Sequence, residues 1–365
     1  MRTFILCLLF ACCFETQLLA QKATDFAVIA YYTGDTQQID QYRIDQLTHI
    51  IYSFCHLKEG KLHVAHAKDS LTIKHLVDLK RTHPKLKIML SLGGWGGCAS
   101  CSKVFSTKQG RAVFAKSVKE INDYFGTDGL DLDWEYPTIE GYPGHLYQAQ
   151  DRQNFTALVR ELRQVLGSNA EISFAAGGFQ KYLDKSVDWR AVMPLVDRVN
   201  VMSYDLVNGY STVTGHHTPL YSTKTDEEST NRAVQYLLGL GIPSRKLVIG
   251  AAFYTRVWKN VAASNNGLYQ SGEHTNGYHF KSYATQLSAN KGWQYFWDEH
   301  AQAPYWYNQE QKQFATGDDL ASVKAKTDYA VHNQLGGIMF WELTLDATQD
   351  GMLQAIHDTI HSDTK

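Results

Sequence analysis

The sequence predicts a single (β/α)8 barrel of the TIM type, with a small α+β insertion between its seventh and eighth strands. Three observations carry that expectation. The chain has 365 residues, and such a barrel needs roughly 250 before insertions. Eight short apolar runs alternate with longer amphipathic stretches, as buried parallel strands alternate with helices. One interval, residues 254–335, is far longer than the rest.

Residues 1–20 read as a signal peptide. Arg2 gives a positive start, and residues 4–14 form an apolar run too short to span a bilayer. Cleavage after Ala20 begins the mature chain at Gln21, so a secreted protein, extracellular or periplasmic, is expected. Residues 9–12 loosely resemble a lipobox, but Phe10 and the short run before it argue against lipid anchoring at Cys12. No later stretch is long and apolar enough for a transmembrane helix.

The strand runs are 26–32, 49–54, 87–92, 129–135, 171–176, 198–204, 246–253 and 337–341. A helix is expected over 108–124, where Val113, Phe114, Val118 and Ile121 form a stripe. A second spans 151–166, with Phe155, Leu158, Val159, Leu162 and Val165. A third, 226–240, has an acidic first turn that suits the helix dipole. The last, 322–334, is preceded by Asp318 and Asp319 as a cap. Inside the long interval, 294–297 and 305–307 have strand character, and 259–303 reads as the insertion on the barrel rim. The barrel itself takes in residues 21–365, with no linker or appended module.

The formal net charge is −2. With no basic cluster, a nucleic-acid or polybasic membrane partner is not expected. No metal or cofactor is expected either, and a monomer is. The 21 Tyr, 16 Phe and 8 Trp include rings able to stack on sugars, although most belong in a core. Three of the six cysteines lie in the signal. Cys98 and Cys101 can close a small-loop disulfide in an exported protein. A zinc site would need more ligands, and Cys55 reads as a buried free thiol.

The densest chemical signal is DGLDLDWEYP at residues 128–137. Side chains alternate along a strand, so Asp131, Asp133 and Glu135 share one face and Leu130, Leu132 and Trp134 the other. The apolar face packs on the helices, and the acidic face points into the barrel. Carboxyl groups there are costly unless protonated or hydrogen-bonded. Like charges at this spacing raise at least one pKa, which keeps a carboxylic acid protonated as a general acid. Glu135 lies furthest toward the carboxyl end of the strand, where barrel active sites sit. It is the expected proton donor. Asp128 is out of phase and reads as structural. A surface strand would not carry so apolar an opposite face. A divalent-metal site would draw ligands from several elements, and the strand holds no His.

The segment matches the DxxDxDxE signature, and the chain resembles glycoside hydrolase family 18, the chitinases. SLGGW at 91–95 resembles the family's SxGG motif, and MSYD at 202–205 its MxYD motif. FYTRVW at 253–258 resembles FYGRxW, with Thr255 in place of Gly. Trp341 and Glu342 resemble the tryptophan motif of the eighth strand. The resemblance covers nearly the whole chain after residue 20. It implies a hydrolase of β-1,4-linked N-acetylglucosamine polymers whose partner is chitin or a chito-oligosaccharide. It also implies retention of configuration by attack of the substrate's own acetamido oxygen on the anomeric carbon. By position, Glu135 protonates the leaving oxygen and later activates water. Asp133 orients the acetamido N–H, and Asp131 shares a proton with Asp133. Tyr204 bonds the acetamido carbonyl, with Asp205 supporting the same region and Met202 in the same motif. Trp341 is the floor beneath the sugar.

Tyr31 and Phe54, near the ends of strands one and two, are expected to complete that floor. Trp95 would stack on a sugar or cap the mouth. Trp258, beside the insertion, would stack on a sugar. Arg256 would bind sugar hydroxyls or pair with an acid of the mouth. His216 and His217 read as a loop near the site rather than metal ligands. The GGCASCS stretch at 96–102 departs from the family's usual loop and leaves subsite contacts at that edge open. Two alternatives stand beside a chitinase. One is an endo-β-N-acetylglucosaminidase acting on N-glycans, which usually lacks the insertion. The other is a chitin-binding lectin, in which the acid is typically replaced; here Glu135 is intact.

Overall fold

The structure, a computed structural model, describes residues 26–362 apart from Asp226. The expected signal peptide, and Cys12 with it, lies outside the described residues. Eight parallel strands form the barrel. They are β1 (Ala27–Tyr32), β2 (His49–Lys58), β3 (Lys87–Gly93), β4 (Gly129–Asp133), β5 (Glu171–Gly177), β6 (Arg198–Met202), β7 (Leu247–Ala252) and β8 (Gly337–Trp341). Each pairs with its successor, and β8 pairs back onto β1 to close the ring. The apolar runs therefore became the strands, with small differences at the ends. Strand β4 stops at Asp133 and β6 at Met202, short of the expected 135 and 204. Their neighbours β3 and β5 end at Gly93 and Gly177, so the next residues have no ladder to join. The last rungs are Gly94 N–H to the Asp133 carbonyl at 2.9 Å and Gly178 N–H to the Met202 carbonyl at 3.1 Å.

Alternation along β4 sorts its side chains between two cores. Leu130, Leu132 and Trp134 point outward into the main apolar core. They meet helices α1 (Lys108–Phe125) and α2 (Asp151–Leu166) through Phe114 and Phe155. A smaller cluster fills the inside of the barrel, including Ile29, Tyr31, Ile51, Met89 and Met339. Asp131 and Asp133 point into that interior and are buried. Burying Leu130 and Leu132 contributes about 1.5–3 kcal/mol each, which offsets part of the cost of drawing the two carboxyls out of water. Asp128, at the start of the strand, faces elsewhere. It accepts the Ile88 N–H at 2.8 Å and pairs with Lys80 at 2.8 Å.

Helix α3 (Thr230–Gly239) begins four residues later than the expected 226. Ser229 caps it by accepting the Arg232 N–H. Glu227, expected in the first turn, instead accepts from Thr223 N–H at 2.7 Å and from the Tyr269 hydroxyl at 3.0 Å. Helix α4 (Leu320–His332) starts behind a capping box of Asp319 and Ser322, as its sequence suggested. Cys98 and Cys101 are disulfide-bonded, and Cys55 is a buried free thiol. Burial pushes that thiol up to about 12. Among the described residues no helix is long and apolar enough to cross a membrane.

Between β7 and β8 lies a five-stranded antiparallel sheet. Its strands are Thr255–Lys259, Glu273–His274, Trp293–Asp298, Ala303–Asn308 and Gln313–Gly317, so it reaches beyond 259–303 on both sides. It has its own core of Trp258, Val261, Leu268, Tyr305, Tyr307 and Phe314. A buried ion pair fastens it to the barrel. Lys326 of α4 lies 2.7 Å from Asp318, both side chains 0 % exposed. Asp318 also accepts from Ala252 N–H at 2.9 Å, Thr218 Oγ1 at 3.0 Å and Ser322 Oγ at 2.7 Å. Removing one partner strands a charge, which costs about 3–5 kcal/mol, whereas an apolar pair of similar volume can be neutral. Lys326→Met should therefore lower unfolding stability by about that amount, and Lys326→Met with Asp318→Leu by less. Chemical denaturation of both variants tests this. An unchanged stability for Lys326→Met would show that the pair does not hold the insertion.

Candidate active site

The site begins with Asp131, which is surrounded by donors. Ser91 on β3 and Ser173 on β5 sit at its register on either side. Their hydroxyls reach its carboxylate at 2.9 and 2.6 Å. The Tyr31 hydroxyl donates at 3.1 Å and the Asn200 amide at 3.2 Å. Burial pushes this carboxyl above its ordinary value, and the four hydrogen bonds oppose that rise.

Two residues on, Asp133 has the opposite environment. Its Oδ1 is buried without a hydrogen-bond partner. Burial, then the nearby Glu135 and Asp131, hold its pKa well above the ordinary value. Glycine is required opposite it. Gly93 has φ +115°, and a Cβ there would lie 2.1 Å from the Asp133 carbonyl oxygen. Glu135 follows at the mouth of the barrel. Burial raises its carboxyl to about 8, with a Tyr136 hydrogen bond opposing and Asp205 adding to the rise. It is thus protonated at neutral pH.

Asp205, just past β6, is set the other way. It occupies the left-handed region at φ +54°. Arg256 grips it with both arms, Nε to Oδ1 at 2.7 Å and Nη2 to Oδ2 at 2.6 Å. The Tyr254 hydroxyl donates to Oδ2 at 2.8 Å, and His217 Nδ1 lies 3.4 Å from Oδ1. Burial alone would raise this carboxyl. His217 and the Arg256 guanidinium outweigh burial and hold it below the usual carboxylate range. Of the two roles expected for Arg256, pairing with an acid is the one seen. Tyr204 lies beside this group, its pKa raised by burial and then by Asp133 and Glu135. Its hydroxyl therefore stays a donor, and its hydrogen-bond partner among the described residues is the weak acceptor Met339 Sδ at 3.8 Å. Met202 lies in the inner barrel cluster nearby.

Trp341, at the end of β8, stacks on Phe54 at 5.4 Å and 15°. Tyr31 lies 5.8 Å from it. At 1 % exposure, Tyr31 is under the floor rather than part of it. Its hydroxyl is committed to Asp131, so it supports the floor from beneath. Trp258 is corrected from a sugar contact. It is 0 % exposed in the core of the small sheet, and its indole N–H donates to the Ser211 carbonyl at 2.8 Å. No face remains for a sugar. Trp95 is 48 % exposed on the rim, near Tyr136 and Tyr142. His216 is buried against Asp298 of the small sheet at 3.0 Å. Among the described residues no group of His, Cys, Asp and Glu is arranged to hold a metal ion.

Sequence reasoning did not single out the donors Ser173 and Asn200, or the Asp205 partners Tyr254 and His217 as such. Inward register beside Asp131 would have found Ser173, because residues opposite a buried acid on adjacent strands must be donors or very small.

Known proteins resemble the chain over most of its length. A family model described as glycosyl hydrolases family 18 matches residues 27–346. Chitinase A1 of Niallia circulans is 34 % identical over 298 residues, covering 75 % of this chain and 42 % of that protein. The chain thus spans about two fifths of that relative's length. Chitinase B of Serratia marcescens is 28 % identical, covering 92 % of this chain and 84 % of that one. The solved structure of a family 18 N-acetylglucosaminidase from Paenibacillus barengoltzii superposes with a TM-score of 0.83 at 34 % identity, covering 92 % of this chain and 99 % of its own.

A neutral Glu135 has a thermodynamic signature. Its folded pKa of about 8 lies above the ordinary 4.5. Its contribution to stability is full below pH 4.5 and is lost as pH rises to about 8. Glu135→Gln cannot ionise, so it should lose less stability than the parent between pH 5 and pH 9. Parallel stability curves for the two proteins over that range would show that Glu135 titrates normally.

Proposed function

The chain belongs to glycosyl hydrolase family 18, and we propose from its site that it is a secreted chitinase that cuts β-1,4-linked N-acetylglucosamine with help from the substrate's own acetamido group. The observation that carries this reading is the row Asp131, Asp133, Glu135. Only the first is saturated with donors, the second has a bare oxygen, and burial and Asp205 raise the carboxyl of the third. A protonated Glu135 suits a general acid for the glycosidic oxygen. The bare Oδ1 of Asp133 suits an acceptor for the acetamido N–H. Tyr204, with a neutral hydroxyl and no strong acceptor, suits the acetamido carbonyl. An oxygen held there lies within the same sugar as the anomeric carbon, so attack gains from proximity. After the leaving group departs, Glu135 is a carboxylate and can take the proton of an incoming water. The exposed part of Trp341 suits the apolar face of the sugar. Asp205, kept ionised beside Arg256, adds negative potential that holds the Glu135 proton.

The small sheet on the rim supports a cleft with one tall wall. It argues against the N-glycan-specific alternative, which usually lacks it. The intact Glu135 argues against a lectin. Glu135→Gln should lower kcat on a chito-oligosaccharide by about 10²–10⁴-fold with little change in oligosaccharide binding. Turnover within a few-fold of the parent would refute Glu135 as the acid. Fully deacetylated oligosaccharides should resist cleavage, and hydrolysis at comparable rates would refute assistance by the acetamido group. Product analysis on chito-oligosaccharides beside a high-mannose N-glycan separates the two substrate classes.

A further inference from the structure

Three aromatic rings meet across the mouth of the barrel. Trp95, on the loop after β3, lies 5.6 Å from Tyr142, on the loop after β4. It also lies 6.4 Å from Tyr210, on the loop after β6. The contacts therefore run from the β3–β4 rim, past the end of β5, to the β6 rim. They pass beside the acid, since Tyr136, the residue after Glu135, is 6.5 Å from Trp95.

Both ends of this bridge are anchored. Trp95 is followed by the disulfide-closed turn Cys98–Cys101, and Gly96 packs on the Tyr142 ring, where an added Cβ would be 3.1 Å away. On the other side Tyr210 N–H donates to the Asn208 side chain at 2.9 Å, and the Asn208 N–H to Ser211 Oγ at 3.0 Å. The buried Trp258 then holds the Ser211 carbonyl at 2.8 Å. Yet Tyr210 is 68 % exposed and Trp95 48 %. Two large apolar rings are held against each other at the mouth while both remain exposed.

A pyranose sandwiched between two rings needs two carbon contacts of roughly 3.5–4.0 Å, so about 7–8 Å in all. Trp95 and Tyr210 are closer than that, at 54° to each other. No sugar passes between them.

We propose that a chain reaches Glu135 lengthwise beneath the Tyr142–Trp95–Tyr210 bridge, which directs the enzyme to chain ends and short oligosaccharides rather than to the interior of long chains. This rests on the reading of the site as one for N-acetylglucosamine polymers. The test compares the full chain with Tyr142→Ala/Tyr210→Ala and with Tyr210→Ala alone. Each is assayed on chitotetraose and on a high-molecular-weight soluble chitin derivative. The readout is viscosity lost per reducing end formed. The parent should form reducing ends with little loss of viscosity. The double variant should lose several-fold more viscosity per bond cut, with Tyr210→Ala in between, while chitotetraose is still cleaved. If the rings only stack on sugar, both substrates should slow and viscosity per cut should stay the same, which would overturn the bridge. A parent that cleaves chitotetraose but already thins the polymer as the variants do would also overturn it. Failure of the parent on both substrates would instead overturn the underlying reading of the site.

Discussion

A carboxyl group inside a barrel has almost no water to carry its charge. Strand β4 places Asp131 and Asp133 there and Glu135 just above. The first acid is provided for: Ser91 and Ser173 flank it at register, and Tyr31 and Asn200 reach it across the interior. Asp133 is left with a bare oxygen between two other acids, Asp131 and Glu135. The pKa of Glu135 is raised by its own burial and then by Asp205. Along one strand the acids thus run from satisfied to starved.

The mouth uses a second acid with the opposite setting. Asp205 is gripped by a planar guanidinium and held ionised. Carboxyls pushed apart in this way divide the labour of acid and charge, as pairs of titratable groups in different surroundings do. Arg256 and Tyr254 come from the start of the small sheet. The insertion thereby supplies the charge that sets Asp205, as well as a wall.

The barrel was legible because a buried parallel strand is apolar on both faces, and such runs stand out between amphipathic helices. The acidic row was legible because strand parity admits one geometry. Strand ends were less so: whether β4 stops at Asp133 depends on how far β3 extends, which is not local. The helix expected at 226 illustrates the same limit, since Glu227 serves a contact with Tyr269 from the insertion. Trp258 was misread for a related reason. A tryptophan after a barrel strand can face the cleft or begin another core, and only the partner strand Gln313–Gly317 decides. Ser173 and Asn200 carry no motif of their own, and their meaning comes from standing next to Asp131.

The buried contact between Lys326 and Asp318 bears on how such a barrel could be rebuilt. The small sheet looks like a removable module, with short connections at each end. Asp318, however, bonds the backbone of Ala252 at the end of β7, Thr218 after β6, and Ser322 and Lys326 in α4. Cutting at the visible borders of the sheet would leave those groups unpaired in the dark of the core. The smallest transplantable piece is therefore discontinuous. It is the sheet together with its counterparts on the loop after β6 and on the last helix before β8, and a host barrel would accept it only with that socket already in place.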